Sequence, residues 1–206
     1  MLTDLLEFET EFWAKGHAYI AGVDEAGRGP LAGPVVASAV IFSRHDFENP
    51  GIKDSKLLSI KKRTQIAEYI RERALCVGIG ICEHDEIDRL NILKASLLAM
   101  QRAVNALSVI PDQILVDGRN VLDTTIPCEA LIKGDLKSRV IAAASVIAKV
   151  ERDCMMIEYD RQYPEYGFAR HKGYPTKHHV EAIEQHGLSP IHRRSFRVKA
   201  LDGIEL

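Results

Sequence analysis

The sequence predicts an α/β fold: a mixed central sheet flanked by helices, with a helical, basic extension at the C-terminal end. Three observations predict it. Strand-like runs come first (Ala18–Asp24, Val35–Phe42, Leu75–Ile81), strands and helices then alternate, and two long stretches carry apolar residues at helical spacing.

The elements follow in order. Leu2–Lys15 reads as a short amphipathic helix, and Ala18–Asp24 (AYIAGVD) as a strand. Glu25–Pro34 is a glycine- and proline-rich turn, followed by the β-branched strand Val35–Phe42. Arg44–Gly51 reads as a loop. Ser59 is placed to cap a helix reaching about Arg73, and Leu75–Ile81 returns as a strand. A short helical piece spans His84–Arg89, and Asn91 can cap the next helix. There Leu93, Leu97, Met100, Val104 and Leu107 make an apolar stripe, and Pro111 breaks it. Gln113–Asp117 (QILVD) is a buried strand and Ala130–Ile132 a shorter one. Ala143, Ile147, Val150, Cys154 and Ile157 repeat the same spacing on a long helix, so that stripe is expected in the core. After Tyr163–Pro164 comes a loop dense in Gly, Pro and basic residues, then a last helix from about Thr176 to His186.

A chain of 206 residues with 46% hydrophobic and 27% charged residues suits one domain. We place its core at about residues 18–165 and a basic helical extension at about 166–206. Cys76, Cys82, Cys128 and Cys154 form no C-x-x-C pair, which argues against zinc. Nothing at the N-terminus reads as a signal peptide, and no apolar run approaches the ~20 residues that span a bilayer. A cytoplasmic, monomeric protein with reduced thiols and no membrane partner is expected. The net charge of −2 does not advertise a nucleic-acid binder, and its distribution leaves open both a phosphate-binding patch and an ordinary solvated face. Gly167–Lys199 holds seven Lys or Arg against two Glu, and five of the eight histidines. Lys53–Arg73 is a second basic stretch.

Four acids stand where strands meet glycines: the pair Asp24–Glu25, Asp117 before Gly118, and Asp135 after Lys133–Gly134. Crowded carboxylates repel, and a divalent cation removes that cost. All-oxygen donors without Cys or His favour Mg²⁺ or Mn²⁺, and such a site suits phosphodiester hydrolysis with two ions. Taken singly, a strand-end Asp more often closes a turn.

Gly22–Val35 reads GVDEAGRGPLAGPV, which resembles the signature of the ribonuclease HII family. Further matches are Asp54–Ser55–Lys56, Asn91–Ile92–Leu93 with Ala99–Met100, Asp117–Gly118, Lys133–Gly134–Asp135 leading into IAAASVIAKV and Arg152–Asp153, Gly173–Tyr174–Pro175, and His192–Arg193–Arg194–Ser195–Phe196. Together they cover about residues 18–197. The resemblance implies a ribonuclease H-like fold and a four-carboxylate metal site, here Asp24, Glu25, Asp117 and Asp135. Asp153 is the rival for the fourth place, although Lys149 four residues earlier offers it an intrahelical ion pair. By the same resemblance Gly27–Arg28–Gly29 would touch the ribose 2′-OH and its phosphate, and Tyr174 would stack on the sugar at an RNA-to-DNA junction. Lys56 would contact a phosphate, with Lys149, Arg193 and Arg194 as further candidates. Glycines let backbone amides approach a nucleotide, and the 2′-OH separates RNA from DNA.

The implied activity is endonucleolytic cleavage of RNA in RNA–DNA hybrids, including a nick 5′ of a ribonucleotide embedded in duplex DNA. It would leave a 3′-OH and a 5′-phosphate and use Mn²⁺ or Mg²⁺. Two readings compete. A DNA-cutting nuclease of the same fold would share the acids but needs no 2′-OH reader. A hybrid-binding module would keep the basic face and use the acids structurally. Serine and cysteine hydrolases and P-loop enzymes are excluded by the absence of their motifs.

Overall fold

The computed structural model describes residues 6–43 and 59–196. Residues 44–58, with the expected Arg44–Gly51 loop, the Asp54–Ser55–Lys56 motif and the phosphate candidate Lys56, lie outside the described residues. So do Leu2 at the start of the first expected helix, and Arg197 and Lys199.

The first helix is α1 (Glu7–Ala14). Strand β1 runs Ile20–Ala26, two residues past the Asp24 end predicted, because Glu25 and Ala26 still pair with Ala37 and Val36. Strand β2 (Val35–Phe42) is wholly buried, as its β-branched run predicts. Helix α2 (Ile60–Arg73) begins at Ser59, whose hydroxyl accepts the amide of Lys62. Then follow β3 (Ala74–Cys82), α3 (His84–Leu90) and α4 (Ile92–Asn105), the last capped by the Asn91 side chain, which accepts the amides of Leu93 and Lys94. Strands β4 (Gln113–Asp117) and β5 (Cys128–Leu131) lead to a short 3₁₀ turn, Gly134–Leu136, and to the long helix α5 (Arg139–Gln162). The stretch after Tyr163, expected as a loop, is instead folded: a 3₁₀ turn Pro164–Tyr166 and a single-turn helix α6 (Phe168–His171) precede α7 (Lys177–His186).

The five strands form one mixed sheet in the order β3-β2-β1-β4-β5. The pairs β1–β2 and β2–β3 are antiparallel, and β4 and β5 add parallel to β1. One face packs against α5 with α1 and α2, the other against α4 with α3. Both helices approach closely. A Cβ on Gly22, in the middle of β1, would lie 2.1 Å from the carbonyl carbon of Val140 on α5. On β3, a Cβ on Gly78 or Gly80 would lie 2.0 Å from the carbonyl oxygen of Ala103 or Ala99 on α4.

That proximity corrects the stripe predicted for α4. The face against the sheet is Ala95, Ala99 and Ala103 with Met100 and Val104, whereas Leu93 is 41% exposed. Small residues win the central positions because glycines on the strand leave no space for leucines. On α5 the predicted stripe holds only in its first half. Beyond Ala148 the chain leaves the sheet, so Cys154 and Ile157 face solvent while Arg152 and Met156 turn inward. Met156 belongs to a separate apolar cluster with Leu31, Ala32, Tyr166, Phe168, Ala182, Ile183 and Ile191, which fastens the C-terminal helices to α5 and to the glycine-rich turn. Among the described residues no helix is long and apolar enough to cross a membrane.

Candidate active site

Parallel pairing brings the acids together. The β1–β4 register sets Val23 beside Val116, and one step further sets Asp24 beside Asp117, both at the carboxyl ends of their strands. In open α/β sheets that is where ligands bind. Alternation along β1 then splits the adjacent acids between faces. Ala21 and Val23 belong to the core under α4 and Ile20 to the core under α5, so Asp24 points toward α5 and Glu25 toward α4.

Asp24 is buried and accepts the Glu25 amide at 2.7 Å and a hydrogen bond from Ser145 on α5. Burial, followed by the charges of Glu25 and Asp117, holds its pKa well above the usual carboxylate value. Burial raises Glu25 as well; the guanidinium of Arg28, 3.2 Å away, pulls it back and Asp117 pushes it further up. One carboxylate oxygen of Glu25, Oε2, is buried with no hydrogen-bond partner. Asp117 accepts the Gly134 amide at 2.7 Å, and this bond ties the turn carrying Asp135 to the end of β4. Asp135 itself is buried on that turn. It does not line the cleft that Asp24, Glu25 and Asp117 share.

That cleft has a volume of about 300 Å³ and continues over Gly27–Arg28–Gly29, Ser145, Lys149, Arg152 and Tyr174. Gly27 has φ +100°, which only glycine adopts without strain, and a Cβ there would strike Arg152. A Cβ on Gly29 would lie 3.5 Å from the Tyr174 ring, so the two expected substrate readers are neighbours. Tyr174 is 44% exposed, available to a ligand rather than part of the core. Glu25, Arg28 and Asp117 also border a second, shallower hollow with Leu93, Leu97, Arg119 and Asn120, so the acids sit between two connected grooves. A larger hollow of about 440 Å³ between α6 and the start of α7 contains one acid, Glu181, and none of the expected site residues.

Among the described residues no three acidic, histidine or cysteine side chains already stand in coordinating geometry. The three carboxylates are a repelling cluster rather than a closed cage. Their chemistry nonetheless fits a hard divalent cation: the donors are all oxygen, burial and the neighbouring carboxylates raise the pKa values of Asp24 and Glu25, and Glu25 keeps a buried oxygen without a partner. The rival acid Asp153 is otherwise engaged. It accepts Lys149 Nζ at 2.6 Å and lies 3.6 Å from Arg63.

Two arginines that sequence reasoning treated otherwise build the turn. Arg193, expected as a phosphate contact, is 2% exposed. Its five N–H donors all go to carbonyls of the glycine-rich turn: Nε to Gly33, Nη1 to Arg28 and Pro30, Nη2 to Gly27 and Pro34. Arg152, unassigned from sequence, donates to the carbonyls of Pro34, Lys172 and Ala32. Burial lowers the two to about 9 and about 10, so both stay charged at neutral pH. The signal for Arg152 was present in its spacing: Ala144, Ala148, Arg152 and Met156 follow one another at intervals of four. Nothing in the sequence separates Arg193 from the solvent-side Arg194 beside it.

An acidic cleft at the carboxyl ends of parallel strands, in a five-stranded mixed sheet with a basic C-terminal module, defines a protein of the ribonuclease H class. The sequence profile of ribonuclease HII matches residues 21–199, and the chain belongs to that family. It is 55% identical to the ribonuclease HII of Clostridioides difficile over 189 residues, covering 92% of this chain and 74% of that one. It is 58% identical to that of Dechloromonas aromatica over 179 residues, covering 86% and 90%. Among solved structures it resembles ribonuclease H2 from Pyrococcus horikoshii, with a TM-score of 0.75, 29% identity and coverage of 87% and 94%. The fold is shared also with Bst-RNase HIII, determined in complex with Mn²⁺ (TM-score 0.68, 22% identity, coverage of 81% and 61%). The chain is thus a ribonuclease H endonuclease, of a family that acts on RNA–DNA hybrids.

Proposed function

We propose that the chain hydrolyses the phosphodiester on the 5′ side of a ribonucleotide, in long RNA–DNA hybrids and at single ribonucleotides embedded in duplex DNA, leaving a 3′-OH and a 5′-phosphate. The observation that carries this reading is the placement of Asp24 and Asp117 one step beyond the Val23–Val116 pair, in the same cleft as Gly29 and Tyr174. Asp24, Glu25 and Asp117 would hold Mg²⁺ or Mn²⁺, with Asp135 as the fourth ligand from the turn bonded to Asp117. When bound, the ions supply a water activated at neutral pH and a counter-charge for the leaving oxygen.

The protein's own residues do the rest. Arg193 draws the carbonyls of Gly27, Arg28 and Pro30 inward, which supports the backbone of Gly27–Arg28–Gly29 as the reader of the 2′-OH and its phosphate. Tyr174 packs its exposed ring against the sugar at the junction. Lys149 and Arg28 line the cleft and offset phosphate charge, and Lys56 would add a backbone contact.

The test is a labelled DNA duplex with one internal ribonucleotide, incubated with Mg²⁺, Mn²⁺ or EDTA. A metal-dependent nick 5′ of the ribonucleotide, lost in Asp117→Asn, is the expected result. Cleavage of all-DNA duplex at a comparable rate would overturn the 2′-OH reading. Activity in EDTA, or full activity of metal-saturated Asp117→Asn, would overturn the metal assignment.

A further inference from the structure

Behind Tyr174 lies a set of buried histidines that the acid chemistry does not use. His171, His179 and His192 are 8%, 0% and 2% exposed and pack against one another and Phe168, with the His171 and His179 rings stacked at 4.3 Å. Burial pushes all three pKa values down, His179 to about 3 and His192 to about 4, so the rings are neutral at working pH. A neutral imidazole has one donor and one acceptor nitrogen.

The contacts then fix which is which. Nδ1 of His179 lies 2.9 Å from the carbonyl of Tyr174, which can only accept, so Nδ1 carries the proton and Nε2 is an acceptor. The Nε2 atoms of His179 and His192 are 3.0 Å apart, so His192 donates from Nε2. Its Nδ1 must then accept, and there it meets the Ser189 amide at 2.8 Å and the Ser189 hydroxyl at 2.7 Å. The two ends agree: an amide can only give and a carbonyl only receive, and the two rings between them admit one direction. His171 pins the other side of the same segment. Its Nδ1 accepts the Gly173 amide at 3.2 Å, and its Nε2 donates to the Tyr166 carbonyl at 2.8 Å. Gly173 in turn accepts the Leu31 amide at 2.8 Å, which links this segment to the glycine-rich turn.

We propose that His192 and His179 are positioning residues for Tyr174: the one-way chain Ser189 → His192 → His179 → Tyr174 carbonyl sets the backbone from which the Tyr174 ring reaches the junction sugar beside Gly29. This rests on the reading of Tyr174 given above. Neither histidine lines the acidic cleft, so neither touches the substrate there directly.

Two experiments test it. The first needs no variant. Long-range ¹H–¹⁵N correlation of the histidine rings in the wild-type protein is expected to find His179 protonated on Nδ1 and His192 on Nε2. Either ring in the opposite tautomer overturns the chain. The second compares substrates. Asparagine presents its amide where Nδ1 stood and glutamine where Nε2 stood. His192→Asn therefore cuts the link to His179, and His192→Gln keeps it. For His192→Asn, kcat/KM at a single embedded ribonucleotide is expected to fall about tenfold relative to a long RNA–DNA hybrid, with His192→Gln restoring most of the ratio. An equal loss on both substrates, or no rescue by glutamine, overturns the positioning role. Tyr174→Ala separates the two readings. If it leaves the substrate ratio unmoved, the junction role of Tyr174 fails while the tautomers still report on the chain. If it collapses the ratio and His192→Asn does not, the chain fails.

Discussion

The two sides of the cleft bury charge in opposite ways. On the basic side Arg193 is almost fully enclosed, yet all five of its donors meet carbonyl oxygens of one turn. On the acidic side Asp24 is enclosed nearly as well but faces Glu25 and Asp117, and Glu25 keeps one oxygen with no partner. The first arrangement is a scaffold: the charge is fully used inside the protein. The second is incomplete without a cation. The contrast separates residues that shape the site from residues that act in it, although both kinds bury an ionisable group.

The largest expected effect breaks the acidic side. Asp24→Asn lowers cleavage by about 10³-fold, measured on a hybrid under saturating Mn²⁺. The same substitution sharpens the contrast in stability, because in EDTA it removes a repelling buried charge and raises stability by about 1–2 kcal/mol in a urea melt. A destabilised variant would mean that Asp24 is structurally satisfied after all.

Arg193→Ala does the reverse. It takes a donor from five carbonyls of the turn, of which Pro34 keeps Arg152, and costs about 3–5 kcal/mol of stability in the same melt. Arg193→Lys recovers little, since a single ammonium cannot span the fork. An alanine variant as stable as wild type would remove the scaffold role.

Divalent ion is expected to stabilise the wild type, by about 3 kcal/mol at a hundredfold excess over Kd, and to leave Asp24→Asn nearly unmoved. Equal stabilisation of both proteins would place the ion elsewhere.

The pH dependence of the two sides has opposite sign. The lowered pKa values of His179 and His192 give stability that is present above about pH 6.5 and is lost as the pH falls toward 4 and 3. Asp24 has a raised pKa, so its penalty is full at high pH and fades as it takes up a proton on acidification. The EDTA advantage of Asp24→Asn over wild type should therefore shrink as the pH falls, read as a difference in melting temperature. A constant advantage would contradict the raised pKa. The smallest effect is expected at the part-buried ion pair between α5 residues: Lys149→Ala costs about 0.5 kcal/mol.

Most of the framework was legible in the chain. Val35–Phe42 and Gln113–Asp117 coincide with the strands, because β-branched runs bounded by turn residues leave little choice. Ser59 and Asn91 cap the helices they were read to cap, and Thr176, read as the start of the last helix, caps it too, since capping is a local hydrogen bond between near neighbours. Asp24, Glu25, Asp117 and Asp135 were singled out by residue type and by their places next to glycine. The errors share one origin. Leu93, Cys154 and Ile157 fit a helical period but are exposed, because periodicity records which residues share a face and not where the helix leaves the sheet.

By itself, then, the sequence determined the α/β order of elements, the acids at strand ends and the family to which the chain belongs. These follow from local propensity, from capping and from short motifs. Only the tertiary structure decided that Asp24 neighbours Asp117 across a parallel pair, that Glu25 looks out on the opposite face, and that Arg193, Arg152 and three histidines lie inside the protein. Parallel pairing joins residues 93 positions apart, and the burial of a charge depends on carbonyls brought from distant segments. No window of sequence contains either.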